Sequence, residues 1–92
     1  MADTRLKFSM GHLVATPSAL ANLNPEDIAA AVRRHANGDW GELDEHDRLV
    51  NEAALTDGSR LFSAYRDRDD TKFWVITESD RSVTTVLLPE DY

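Results

Sequence analysis

Nine residues near the middle of the chain, Asp39 to Asp47, carry five carboxylates: Asp39, Glu42, Asp44, Glu45 and Asp47. Carboxylates around an aromatic side chain are typical of a surface that meets a basic protein partner. Acidic residues are also favoured in the first turn of a helix, because they face the positive end of its dipole. Both interpretations fit the segment. The predicted binding residues are Asp39, Trp40, Glu42, Asp44 and Asp47, with Trp40 as the anchor and the carboxylates as the rim.

A second group of charged residues lies in the C-terminal third of the chain, where Arg60, Arg66 and Arg81 fall on or beside successive predicted strands. If their guanidinium groups converge, they could bind an anion or stabilise phosphoryl charge. The alternative is architectural, since the corner 77–82 is too long for a two-residue hairpin. In that case Ser79 and Asp80 accept backbone N–H bonds, and Arg81 pairs with Glu78 or Asp80. The anion or turn site comprises Arg60, Glu78, Asp80 and Arg81.

Other catalytic chemistries lack the residues they need. Cysteine is absent, which excludes thiolate catalysis and Cys-based zinc sites. His12, His35 and His46 fall on three different predicted elements and form no His-x-x-x-His pair. His35 is predicted to be half-buried on its helix. No Gly-x-Ser-x-Gly motif or Gly-rich phosphate loop occurs, so we predict no catalytic residue, no metal and no cofactor.

The composition restricts the classes of partner. The chain has 92 residues, a length that favours one domain over residues 1–92. Its net charge of −7 argues against direct nucleic-acid binding. A protein partner with a basic surface is the better match. The N-terminus has no signal-peptide pattern, and no apolar run is long enough to span a bilayer. We therefore predict a cytoplasmic protein that does not contact a membrane.

Three helices are predicted from their start and stop signals. Thr16 and Pro17 open a short helix that ends at about Leu23. Asn24 and Pro25 open a second helix, which ends before Gly38 and has an inner face of Ile28, Ala31, Val32 and His35. Asp44 caps a third helix, which has Asp47 in a capping-box position and ends at Gly58. The predicted apolar stripe of this helix is Leu49, Val50, Ala53 and Ala54.

Strands are predicted where the apolar period becomes two. Residues 6–15 read as one strand bent at Gly11 or as two short strands, and residues 60–65, 72–77 and 82–88 read as three more. Short connections predict antiparallel pairing among the last three strands. The result is an α+β fold in the order β-α-α-α-β-β-β, with the helices packed on one face of a small antiparallel sheet.

Four segments carry a family resemblance: residues 38–41 (Gly-Asp-Trp-Gly), 51–52 (Asn-Glu), 58–61 and 74–89. Together they resemble a family of small bacterial proteins labelled plasmid-related, whose members travel on mobile elements and have no established activity. The helices followed by an antiparallel meander are also similar, more weakly, to the barnase and RelE-like ribonucleases. That second resemblance would make Arg60 and Arg81 phosphate-contacting groups.

These observations lead to one preferred function and two alternatives. The preferred hypothesis is a small acidic interaction protein of a mobile element, which binds and modulates another protein such as a host-defence or nucleic-acid-binding component. The first alternative is a ribonuclease toxin that uses Arg60 and Arg81, with Glu78 as the base. The second is a self-associating structural protein, a homodimer that pairs through an exposed sheet edge.

Overall fold

A computed structural model describes residues 7–92, and it confirms the predicted α+β class and element order. A short 3-10 turn, Pro89–Asp91, follows the last strand. None of the helices within the described range is long and apolar enough to cross a membrane. The elements are β1 (His12–Ala15), α1 (Pro17–Asn22), α2 (Pro25–Ala36), α3 (Glu45–Asp57), β2 (Leu61–Arg66), β3 (Lys72–Thr77) and β4 (Val83–Leu87).

The helices begin at the side chains that the sequence indicates. Thr16 Oγ1 accepts the N–H of Ala19 at 3.2 Å, and Asn24 Oδ1 accepts the N–H of Glu26 at 2.9 Å. Asp44 Oδ1 accepts the N–H of residue 47 at 2.8 Å. Each bond satisfies one of the N–H groups that a first helical turn leaves without a partner. Gly58, with φ of +81°, ends α3 in the left-handed conformation.

The sheet has the strand order β1-β4-β3-β2, and its pairing corrects one prediction. β2, β3 and β4 are antiparallel, as expected from their short connections. β1 pairs with β4 in parallel, with Leu13 opposite Thr84, so the sheet is mixed and not antiparallel throughout. Turn length sets the direction of neighbouring strands only. β1 is separated from its partner by three helices and two strands, so no local signal sets its direction.

The first strand is shorter than predicted. Only His12–Ala15 is a strand, and Leu6 lies outside the described residues. Gly11 has φ of +63°, and a Cβ there would lie 2.2 Å from the carbonyl oxygen of Ser82. A glycine is therefore required where the chain turns into β1 against the start of β4.

α1 and α2 cover one face of the sheet, whereas α3 lies at its β2 edge. Alternate residues of β2, β3 and β4 point toward them, as the two-residue period of a strand requires. α1 and α2 supply the apolar side chains opposite. The main core cluster comprises Ala19, Leu23, Ala31, Val32, Tyr65, Phe73, Val75, Val86 and Leu88. A smaller cluster of Trp40, Ala54 and Leu61 lies at the α3 end.

The opposite face carries a row of aromatic side chains. Phe62 lies 4.9 Å from Trp74 between ring centroids, and Trp74 lies 5.8 Å from Tyr92. The segment after β4 folds back on the molecule, because Asp91 accepts hydrogen bonds from the hydroxyls of Thr16 and Ser18. This second face is therefore partly covered without a second layer of helices.

Candidate functional site

The acidic segment is divided into two parts by its ion pairs. Asp39 accepts a hydrogen bond from Arg34 Nε at 2.8 Å, and this bond lowers the pKa of the Asp39 carboxyl. Glu42 forms a salt bridge with Arg66 Nε at 3.0 Å. Two of the predicted binding carboxylates are thus offset by arginines of the same chain, and they present less negative charge than the sequence suggests.

The other predicted carboxylates, Asp44 and Asp47, lie at the start of α3 and are exposed. Asp44 caps the helix, which occupies one of its oxygens. Among residues 7–92, neither they nor the neighbouring Glu45 form a salt bridge with lysine or arginine. The acids of the segment that have no described salt bridge are therefore those at the start of α3. Arg48 follows them and donates to the carbonyls of Leu43 and Gly41.

Trp40 corrects the prediction of an exposed anchor. Its side chain is only 4% exposed, stacks on Phe8 at 6.2 Å and meets the edge of His35 at 5.7 Å. Its indole N–H donates to Glu52 Oε2 at 2.8 Å. The indole holds the loop onto the core and is not available to a partner. The two glycines that bracket Trp40 in the sequence indicate this role as an anchor of the loop, and it is the role in a binding surface that burial excludes.

The loop that Trp40 holds closes the outer edge of β2. The N–H of Ala64 donates to the carbonyl of Trp40 at 3.2 Å, and the N–H of Glu42 donates to the carbonyl of Ala64 at 2.7 Å. Between them Gly41 has φ of +74°, and a Cβ there would lie 2.0 Å from the Ala64 oxygen. Only glycine permits this approach.

Asn51 pairs with the same edge of β2 at Phe62, two residues before Ala64. Its Nδ2 donates to the carbonyl of Phe62, and its Oδ1 accepts the N–H of Phe62 at 3.1 Å. The side-chain amide thus pairs with an edge strand as another backbone would. Sequence reasoning assigned no role to this residue. The sequence feature that could have indicated this role is its position, since Asn51 is a polar residue between the apolar pairs Leu49-Val50 and Ala53-Ala54.

The apolar stripe predicted for α3 is mostly on the surface. Leu49 is 62% and Val50 49% exposed, and Ala53 is exposed too, whereas Ala54 is fully buried. The cause is the position of the helix, which lies beside the edge of β2 and meets it through Asn51 and Ala54. A helix at a sheet edge buries a narrower stripe than a helix that lies on the sheet.

Beside this exposed helix face is a cavity of about 250 Å³, which we call the α3–β2 pocket. Its apolar wall is formed by Leu43, Val50 and Phe62. Asp47 also lines the pocket, so one of the predicted binding residues lies at a concave surface. The complete lining is Leu43, Asp47, Val50, Asn51, Arg60 and Phe62.

The three arginines of the predicted anion site do not converge. Arg60 donates to Tyr92 Oη at 2.7 Å. Arg66 stands at the opposite end of β2, about 20 Å away along an extended chain. Arg81 donates to the carbonyls of Ala54 at 3.0 Å and Ser59 at 2.7 Å, at the C-terminal end of α3. The proposed three-arginine site is therefore not formed, because Arg66 is far from Arg60, and the ribonuclease alternative based on Arg60 and Arg81 stays a prediction.

The corner that contains Glu78 and Asp80 is an architectural turn. Asp80 Oδ1 accepts the N–H of Ser82 at 2.9 Å, as predicted for this position. The N–H of Arg81 donates to the carbonyl of Glu78 at 2.8 Å, and Arg81 has φ of +62°. Arg81 bonds backbone carbonyls instead of the predicted carboxylate of residue 78 or 80.

A second cavity of about 250 Å³ lies between α2 and β2 and is lined by Arg66 and two further arginines, Arg34 and Arg68. Arg34 and Arg66 pair with carboxylates of the loop after α2, as described above. Arg68 bonds Asp27 Oδ2 at 3.0 Å and Glu26 Oε1 at 3.0 Å. Because each guanidinium already has a carboxylate partner, this cavity offers no unpaired positive charge to an anion.

The only histidine on a core face belongs to a buried network and not to a reactive site. His35 is fully buried, not half-buried, and its Nε2 lies 2.9 Å from Thr77 Oγ1 while its Nδ1 bonds Ser63 Oγ. Thr77 Oγ1 bonds Thr84 Oγ1 at 2.7 Å, and Thr84 donates to the carbonyl of Met10 at 2.7 Å. Ser63 is also fully buried, so no substrate reaches its hydroxyl.

Comparison with known proteins gives no relative for this chain: no family model, no curated protein and no solved structure matches it. The resemblance to plasmid-related proteins and the weaker one to RelE-like ribonucleases therefore stay predictions. What the molecule offers to a functional argument is the geometry of α3 and of the pocket beside it.

Proposed function

We propose that this chain is a non-enzymatic interaction protein that binds a basic surface of another protein through the first half of α3. The observation that carries the proposal is the composition of that surface. Asp44, Glu45 and Asp47 stand beside Leu49 and Val50, which are exposed although apolar. Exposed carboxylates that have no salt bridge within residues 7–92, beside accessible apolar side chains, are complementary to a basic protein surface.

The distribution of positive charge supports the same function. Arg34, Arg66 and Arg68 each pair with carboxylates of this chain, and Arg81 caps a helix. The chain as a whole carries a net charge of −7, and among the described residues the exposed acids at the start of α3 form no salt bridge. A surface of this sign accelerates the approach of a basic partner and repels nucleic acid.

The resemblance to mobile-element proteins suggests which partner to seek. A host-defence or nucleic-acid-binding protein carries a basic groove, and an acidic surface is complementary to such a groove. We place this interaction in the cytoplasm, where such partners act. Binding would modulate the partner by occupying its basic surface.

A pull-down from host lysate, read by mass spectrometry, tests the proposal. The test variant is Asp44→Asn with Asp47→Asn, because asparagine retains helix capping while removing two charges. The control, Asp69→Asn with Glu90→Gln, removes the same charge from exposed positions elsewhere. We expect the test variant to recover about tenfold less partner, and high salt to weaken recovery by the wild type. Equal recovery by the test and control variants would contradict the proposal.

A further inference from the structure

The α3–β2 pocket has the form of a receptor for one apolar side chain. Leu43, Val50 and Phe62 line it, and its volume of about 250 Å³ accommodates a leucine or phenylalanine side chain. Val50 is 49% exposed at its rim, so this apolar surface faces solvent. Concave apolar surfaces with a few polar groups at the rim are the usual sites of docked side chains.

The charges around the pocket select the occupant. Asp47 lines the pocket, and Asp44 lies less than one helical turn before it. Arg60 lines the other side, but its guanidinium is bound to Tyr92 Oη at 2.7 Å and lies 5.5 Å from the centre of that ring. The Tyr92 hydroxyl does not neutralise Arg60, so the pocket has one basic and one acidic side. The acidic side, along the first turn of α3, favours the positively charged part of a bound segment.

A second copy of this chain fits the pocket poorly. A two-fold symmetric contact through this face would place the α3 carboxylates of one copy against those of the other. Asp44, Glu45 and Asp47 would then repel their equivalents across the contact. Charge complementarity thus favours a different protein.

We infer that the α3–β2 pocket binds an apolar side chain of a basic amphipathic segment in the partner, while lysines or arginines of that segment meet Asp44 and Asp47. This inference rests on the proposed function and adds the chemistry that the partner must carry. The apolar side chain provides the anchor that Trp40, being buried, does not provide.

Three synthetic helical peptides of equal length serve as probes. The first contains leucine and lysine in an amphipathic pattern, the second replaces each leucine by alanine, and the third replaces each lysine by glutamate. Binding to the intact chain is measured by calorimetry and by amide NMR shifts. We expect the leucine–lysine peptide to bind at least about tenfold more tightly than either other peptide, because the alanine peptide lacks the anchor side chain and the glutamate peptide is repelled by the α3 carboxylates. Its largest shifts should fall on Leu43, Asp47 and Phe62.

Two variants separate the pocket from general attraction between opposite charges. Val50→Ser removes an exposed apolar rim residue, and Asp47→Asn removes the rim charge. Each should weaken binding of the leucine–lysine peptide about fivefold. Leu20→Ser is the matched control, because Leu20 is an exposed apolar residue on a different helix, and it should leave the affinity unchanged.

Each of four outcomes would overturn the inference. Equal binding of the leucine–lysine and alanine–lysine peptides would leave an acidic binding surface but no apolar docking site. Equal binding of the glutamate peptide would show that charge does not select the occupant. No binding of the leucine–lysine peptide would exclude this partner chemistry, although the pull-down could still support the proposed function. A dimer of the free protein that Val50→Ser dissociates would make a second copy the occupant.

Discussion

The hydrogen-bond network around His35 assigns every proton in it. Thr84 donates to the carbonyl of Met10, so Thr84 Oγ1 must accept from Thr77. Thr77 Oγ1 then accepts from His35, which places the ring proton on Nε2. The unprotonated Nδ1 accepts from Ser63. Burial lowers the pKa of His35 to about 4, which agrees with this neutral form.

A substitution at one member of this network should therefore be costly. Ser63→Ala leaves Nδ1 of His35 buried without a donor, and the free energy of unfolding should fall by about 1–3 kcal/mol. Urea denaturation at neutral pH measures this loss. Ser79→Ala, which removes a hydroxyl from an exposed turn, is the control and should change little. An equal effect of both variants would mean that the buried bond contributes nothing specific.

At the scale of elements, a side chain stabilises each end of α3: its own N-cap residue at the start and an arginine from the turn after β3 at the end. Asp44 caps its start, and Arg81 donates to the Ala54 carbonyl in its last turn. A cation at the C-terminal end of a helix also interacts favourably with the helix dipole. Arg81 thus joins the turn after β3 to the end of α3.

Arg81→Met tests this link while keeping an unbranched apolar side chain. The last turn of α3 should open more easily, and the protein should lose about 1–2 kcal/mol of stability. Amide hydrogen exchange at residues 54–58 measures the local opening. Arg33→Met, on the exposed side of α2, provides the control. If exchange in α3 is the same in both variants, Arg81 does not stabilise the helix end.

Only a few residues pair with the outer edge of β2, and Asn51 is one of them. Asn51→Ala removes both bonds to Phe62 and exposes an edge strand to pairing with other chains. We expect a loss of about 2 kcal/mol and concentration-dependent association of the variant. Urea denaturation and sedimentation velocity measure the two effects, with Asn22→Ala on α1 as the control. A monomeric variant of wild-type stability would contradict this role.

The parts of the fold that local chemistry determines could be predicted from the sequence. Helix starts at Thr16, Asn24 and Asp44 depend on bonds within four residues, and each was predicted correctly. The parallel direction of β1 depends on a partner far along the chain, so no local pattern reveals it. Periodicity identified the apolar stripe of α3, but it cannot show whether a sheet covers that stripe or passes beside it. Leu49 and Val50 therefore belong to the predicted stripe but are exposed.

The candidate site, like the fold, could be predicted from the sequence only where local patterns determine it. Charge spacing identified Asp44 and Asp47, which are exposed as expected. Pairing of Asp39 with Arg34 was not predictable, because it depends on how the chain turns after α2. The pocket itself joins residues from a loop, a helix and a strand, and only the folded chain brings them together.

For the whole molecule, the buried histidine makes stability depend on pH. In the unfolded chain His35 has a pKa near 6.5, whereas burial lowers it to about 4 in the folded state. The unfolded state therefore binds more protons between these values, and stability falls as the pH decreases from 6.5 to 4. The expected loss is about 3 kcal/mol over this range.

Denaturation measured at several pH values between 7.5 and 4 checks this prediction. His35→Gln should lower stability at neutral pH but flatten its decrease in this range, because the amide does not titrate. His46→Gln, at an exposed position of α3, should retain the decrease. Hydrogen bonds lower the pKa of carboxyls such as Asp67 and Asp91, so their contribution is lost separately, as the pH falls below about 4. A decrease that His35→Gln leaves unchanged would assign it to other groups.

The position of β4 in the sheet determines the order in which the strands can pair during folding. β4 is the last strand in the chain, yet it lies between β1 and β3 and joins them. His12 must find Val83, a separation that spans most of the sequence. Contacts between such distant residues slow folding, because a long loop must close before they form. During synthesis the helices and the β2–β3 hairpin can form early, whereas the first strand waits for the last before it joins the sheet.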